Sequence, residues 1–187
     1  MSFPITTLVA LIAYFLSRAL LKSSKQIYIG LFLALLLIVG FMISSKGISV
    51  LGLHVSATSF SIVILIVTFF ETTLLERHIT KIKKGEIGSN TKSVEREYNE
   101  IFILIGFGLG GIVLSLISGL MVLGELNVEL IFKIIFTGFA LIIYMLTFLG
   151  VKYAHLKVRY AVRGTILSFA MVLLAYFGNT IFLINYL

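Results

Sequence analysis

Cysteine, aspartate and tryptophan are all absent from this 187-residue chain, and Pro4 is its single proline. Without cysteine there is no disulfide, thiolate metal site, iron–sulfur cluster or thiol nucleophile. Without aspartate no Asp-based triad or aspartyl-phosphate chemistry can be assembled, and eight glutamates supply all the side-chain carboxylates. A lone proline at position 4 leaves every later helix free of proline kinks. Charge is also scarce: 12% of residues are charged, against 59% hydrophobic, and the mean hydropathy is +1.13. A soluble domain carries about 25% charged residues, and a single globule of this length cannot hide so large an apolar surplus. These proportions exclude a cytosolic enzyme, a disordered chain and a secreted disulfide scaffold. They predict an all-α polytopic membrane protein, a bundle of about six transmembrane helices.

Crossing the hydrocarbon core takes about 20 apolar residues. Six segments qualify, at 5–21, 27–44, 55–75, 101–123, 130–151 and 161–186, and together they form one transmembrane domain over 1–187. Ser56, Thr58, Ser59 and Ser61 make the start of the third segment polar, and their hydroxyls can bond helix carbonyls. The 76–100 loop joins the third and fourth segments. Gly85, Gly88 and the Gly-Ser-Asn turn at 88–90 read as a hinge there, with Glu95, Glu97 and Glu100 leading helically into the fourth segment.

The net charge of +7 and pI near 9.7 raise the question of nucleic acid, but the basic residues answer it by position. Thirteen of the fifteen follow helix 1, sit in the 76–100 loop, or lie between helices 5 and 6. The positive-inside rule assigns those three loops to the cytoplasm and both termini to the outer side. No basic residue precedes helix 1, which is the reverse of a cleavable signal peptide. The expected partner is therefore the lipid bilayer, with other membrane proteins or a second copy of the chain beside it, and no nucleic acid.

Several residues stand out against this apolar ground. Gly111, Ser115 and Gly119 recur every four residues on one face of helix 4, as a helix-packing stripe does; a ligand groove is the sharper alternative. Glu71 is the one carboxylate inside a span, a candidate ion relay or a group reaching the interface to meet a loop lysine. His54, Lys133 and Asn179 fall near the outer ends of helices 3, 5 and 6, with Glu125 and Glu129 beside them. Packed together they would form a polar cup. Lys133 suits an anionic group such as a propionate or phosphate, and His54 offers a neutral ring nitrogen to a metal or haem iron. Snorkelling of Lys133 and an interfacial His54 are the plainer readings. His78 and His155 read as solvated residues of the basic loops.

Leu174-Ala175-Tyr176-Phe177-Gly178 in the last helix, preceded by Lys157-Val158-Arg159, is the most specific local motif. Upstream come Ser93-Val94-Glu95-Arg96, Ser118-Gly119-Leu120, and a helix running from Leu53-His54 to Glu76-Arg77. In this order, over roughly 53–187, the chain resembles the cytochrome c assembly (haem-handling) membrane-protein family, in particular its YpjD-type subgroup. The resemblance implies haem as cofactor and a role in haem binding, transfer or assembly rather than covalent catalysis, in a bacterial inner membrane. It also implies a shortened member. The family's Trp-rich external loop is missing, and Phe132-Lys133 stands where a His-Lys pair opens helix 5. His54 is then the externally placed imidazole, and a second axial ligand has to come from a dimer or a partner. Two readings from other classes stay open: a cofactor-free accessory subunit using the Gly/Ser face of helix 4 and the 76–100 loop, and a small-solute or ion permease using Glu71 and Lys133.

Overall fold

Unbroken apolar sequence leaves the backbone no partner but itself, so helices are the structure such a chain forms in lipid. The computed structural model describes residues 3–20, 26–46, 49–86, 94–122, 128–154 and 157–175. They form α1 (Phe3–Leu20), α2 (Gln26–Lys46), α3 (Val50–Lys83), α4 (Val94–Val122), α5 (Val128–Tyr153) and α6 (Val158–Leu173). The protein is an all-α, multi-pass membrane protein. Among the described residues three helical stretches have the length and apolarity to cross a membrane: Val50–Lys83, Val94–Met121 and Ile131–Tyr153. Ile5–Leu20 and Ile27–Gly40 are shorter apolar helices.

α3 runs eight residues past the apolar segment read at 55–75, to Lys83. Glu76, Arg77, Lys81 and Lys83 are good helix formers, and neither Gly nor Pro interrupts them. Gly85 ends the helix. At φ +78° it takes the left-handed conformation, its N–H donates to Ile82 O (3.0 Å), and Glu86 N–H donates to Lys81 O (3.1 Å). That pair of bonds is a Schellman cap. Gly85 is thus a helix stop, while Gly88 and the turn at 88–90 lie outside the described residues. α4 begins at Val94 with Glu95 and Glu97 in its first turn, where the helix dipole favours negative charge.

The chain divides into two compact units, one of Met1–Ile64 with Gly111–Leu126, the other of Leu65–Gly110 with Asn127–Leu187. In the first, α1 buries Thr6, Ala10, Tyr14 and Ser17 and exposes Leu8, Ile12 and Leu16 on the opposite side. It packs on α2 at Gly30, where a Cβ would lie 2.6 Å from Ser17 Oγ and 2.8 Å from the Tyr14 ring. In the second, α5 buries Ala140, Tyr144, Thr147 and Val151 at helical spacing. Phe148 stacks on Phe102 of α4 with ring centroids 4.8 Å apart, and Tyr98 Oη donates to Val151 O at 3.2 Å. Small residues at these crossings let backbones approach, which matters in lipid because tails as apolar as leucine give helices no hydrophobic reason to associate.

Candidate functional site

In the first unit α3 presents His54, Thr58 and Ser61, spaced four and three apart and therefore on one face. α4 presents Gly111, Ser115 and Gly119 to it. A Cβ on Gly111 would stand 2.8 Å from Ser61 Oγ and 3.4 Å from Ser61 Cα. One on Gly119 would stand 3.1 Å from His54 Cε1, 3.4 Å from Nδ1 and 3.8 Å from Nε2. The small-residue stripe is thus filled from within the chain by α3. Gly119 makes the room in which the imidazole lies.

Hydrogen bonds knit the same face. Thr58 Oγ1 donates to His54 O (2.8 Å) and lies 2.7 Å from Ser115 Oγ. Thr58 has one hydroxyl proton, so with that proton on the carbonyl it is Ser115 that donates across the helices. His54 Nδ1 lies 3.1 Å from Ser115 O and 3.3 Å from Ser118 Oγ. A carbonyl oxygen can only accept, so Nδ1 carries the hydrogen. In the neutral ring the lone pair then belongs to Nε2, the tautomer a ligating histidine uses when its other nitrogen is bonded to a backbone carbonyl. Removing the cross-helix hydroxyl pair tests this geometry. A double-mutant cycle of Thr58→Val and Ser115→Ala, read by unfolding in detergent, should show a coupling of about 0.6 kcal/mol and no more than about 1.7. Strict additivity would mean the two hydroxyls do not meet.

Compared with known proteins, the chain matches no family model, no curated sequence and no solved structure. The site therefore has to be read from its own chemistry. Among the described residues no group of three His, Cys, Asp or Glu side chains gathers to hold a metal ion.

The other residues singled out from the sequence belong to the second unit or lie outside the described residues. Lys133, half-buried on α5, belongs to the second unit, as does Phe132, which stacks on Phe136 at a centroid distance of 6.0 Å. Glu71, on the part of α3 in the second unit, is 7% exposed, so its carboxylate is enclosed by protein. Asn179, Glu125, His155 and the Tyr176-Phe177-Gly178 part of the last-helix motif lie outside the described residues; its Leu174 is exposed and its Ala175 buried.

His78 differs from the solvated residue read from the sequence. Its side chain is 17% exposed, its Nδ1 is 2.8 Å from Glu97 Oε2, and its Nε2 is buried without a hydrogen-bond partner among the described residues. α3 continues as a helix past its apolar span and carries His78 alongside the first turn of α4. Nothing in the local sequence marks that pairing. Nor does it mark Tyr144 and Thr68 as a pair. Tyr144 is fully buried, its hydroxyl 3.4 Å from Thr68 Oγ1 and its ring seated over Gly108. A tyrosine in the middle of an apolar span, where its O–H needs a partner, was the available signal.

Proposed function

We propose that this is a multi-pass protein of the bacterial inner membrane, both termini on the outer side, that handles haem during cytochrome c assembly through His54 and performs no covalent catalysis. The observation that carries the reading is the Nδ1 bond of His54 to the Ser115 carbonyl, 3.1 Å long, which holds the ring and turns its lone pair to Nε2. One such imidazole cannot hold a bare metal ion, but it is sufficient for an iron that arrives with its own four ring nitrogens. The residues present fit that group in donor chemistry. Bound haem would supply an iron that accepts one neutral imidazole. The chain's part is to orient the ring: Ser115 and Ser118 fix the tautomer, and Gly119 leaves the space. The resemblance over 53–187 supports the same reading.

The cofactor-free accessory subunit is the weaker reading, because the α4 face it needed is already taken by α3. The test is haemin titration of the detergent-purified protein, followed by visible absorption. A saturable Soret shift is expected in the wild type and none in His54→Ala. Gly119→Val should push the ring off the Ser115 carbonyl and weaken binding by about 10- to 100-fold, the usual cost of losing an outer-shell partner. No shift in the wild type, or an equal shift in His54→Ala, overturns the proposal.

A further inference from the structure

We propose that the corner where α5 meets α6 is a binding site for the headgroup of an anionic phospholipid, formed by Lys152, Tyr153, Arg159, Tyr160 and Arg163. α5 and α6 pack closely beside this corner: a Cβ at Gly164 would fall 2.1 Å from Thr147 Oγ1, so with Thr147 in place glycine is what lets the two helices approach there. On the outside of this crossing all five side chains are exposed, Tyr153 by 69% and Tyr160 by 53%. Two cations are seated against the aromatic rings: Lys152 Nζ lies 5.1 Å from the Tyr153 centroid, and Arg163 Cζ lies 5.9 Å from that of Tyr160. Arg159 and Arg163, four apart, share a helix face. Tyrosine with arginine or lysine at the end of an apolar helix is the composition of the lipid–water boundary.

The one acidic residue on these two helices, Glu129, stands in the first turn of α5, at the end opposite Lys152. From Leu130 to Leu187 the sequence contains no acidic residue. At the neighbouring helix ends, Glu97 is engaged by His78 and Glu100 by Arg96. The positive-inside rule asks only that cations lie on this side of the membrane; it does not ask that they sit on tyrosines beside a close helix crossing. Composition decides the nature of the partner. Lys152 and Tyr153 end the apolar stretch Ile131–Tyr153, and cations seated on tyrosines at such an end stand where lipid phosphates are found. Planar guanidinium pairs with phosphate oxygens bidentately.

This inference does not depend on haem. Protein purified in detergent micelles doped with either phosphatidylglycerol or phosphatidylethanolamine, then analysed by native mass spectrometry, tests it. The wild type should retain phosphatidylglycerol in preference. Arg159→Gln with Arg163→Gln should lower that retention by roughly fivefold for each arginine removed. Arg77→Gln with Lys81→Gln, on α3, should leave it unchanged. Equal retention of both lipids by the wild type overturns the proposal, as does unchanged retention in the arginine variant. So does an equal loss in the α3 variant, which would reduce the effect to net charge. Should the double variant fail to elute as a single folded species, Lys152→Gln alone carries the same expectation at smaller amplitude.

Discussion

Gly164→Ala is expected to lower the unfolding midpoint of the whole protein and to separate α6 from α5. The added methyl carbon would stand 2.1 Å from Thr147 Oγ1, 3.1 Å from its Cγ2 and 3.2 Å from its Cβ. Thr147 cannot swing aside cheaply. It is buried, its β-branched side chain has few helical rotamers, and its hydroxyl donates to Ile143 O at 2.8 Å. Overpacking of this kind costs about 1–3 kcal/mol. Thr147→Ala removes the two shortest contacts and leaves the one at 3.2 Å, so it should restore most of the loss. Thermal unfolding followed by far-ultraviolet circular dichroism suits a chain without tryptophan or cysteine. A Gly164→Ala protein as stable as the wild type would mean the helices do not cross at this residue.

A similar penalty is expected at Gly108, against a stiffer obstacle. A Cβ there would meet Tyr144 Oη at 2.6 Å, Cε1 at 2.7 Å and Cζ at 3.0 Å. An aromatic ring cannot bend out of the way, and this one is fully buried with its hydroxyl against Thr68. Gly108→Ala should therefore cost about 1–3 kcal/mol in the wild-type background. In a Tyr144→Leu background, where the ring is gone, the same substitution should be nearly neutral. That non-additivity is the signature of contact between the two positions. Tyr144→Phe alone should cost only the hydroxyl bond, about 0.6 kcal/mol by the average for such bonds between membrane helices. Additive behaviour of Gly108→Ala and Tyr144→Leu would show that the ring and the glycine do not touch.

These two glycines show where reading the chain residue by residue stops. Gly108 and Gly110 are near neighbours on α4 with the same composition around them. One accommodates a buried tyrosine, and nothing stands within 4 Å of a Cβ at the other. The same holds for histidine. His54 and His78 lie on one helix, and neither flanking sequence tells that the first is held by a carbonyl 61 residues away and the second by a carboxylate 19 residues away. The reach of α3 to Lys83 was only partly legible, because the charged residues after Leu75 are strong helix formers but are too polar to register as part of a span.

The sequence alone determined that the chain is helical and belongs in lipid, and that Gly111, Ser115 and Gly119 share one face of α4. Each of those facts depends on hydropathy and the 3.6-residue period, which are set by residues within a few positions. Only the structure decided that α3 begins at Val50 and so carries His54, Thr58 and Ser61 on one face, that this face meets the α4 stripe with His54 over Gly119, and that Glu71 is enclosed. In a bilayer the lipid tails are as apolar as leucine, so hydrophobicity does not say which face seeks which. Register between helices is settled instead by the fit of individual side chains and hydroxyls, between residues that can lie tens of positions apart.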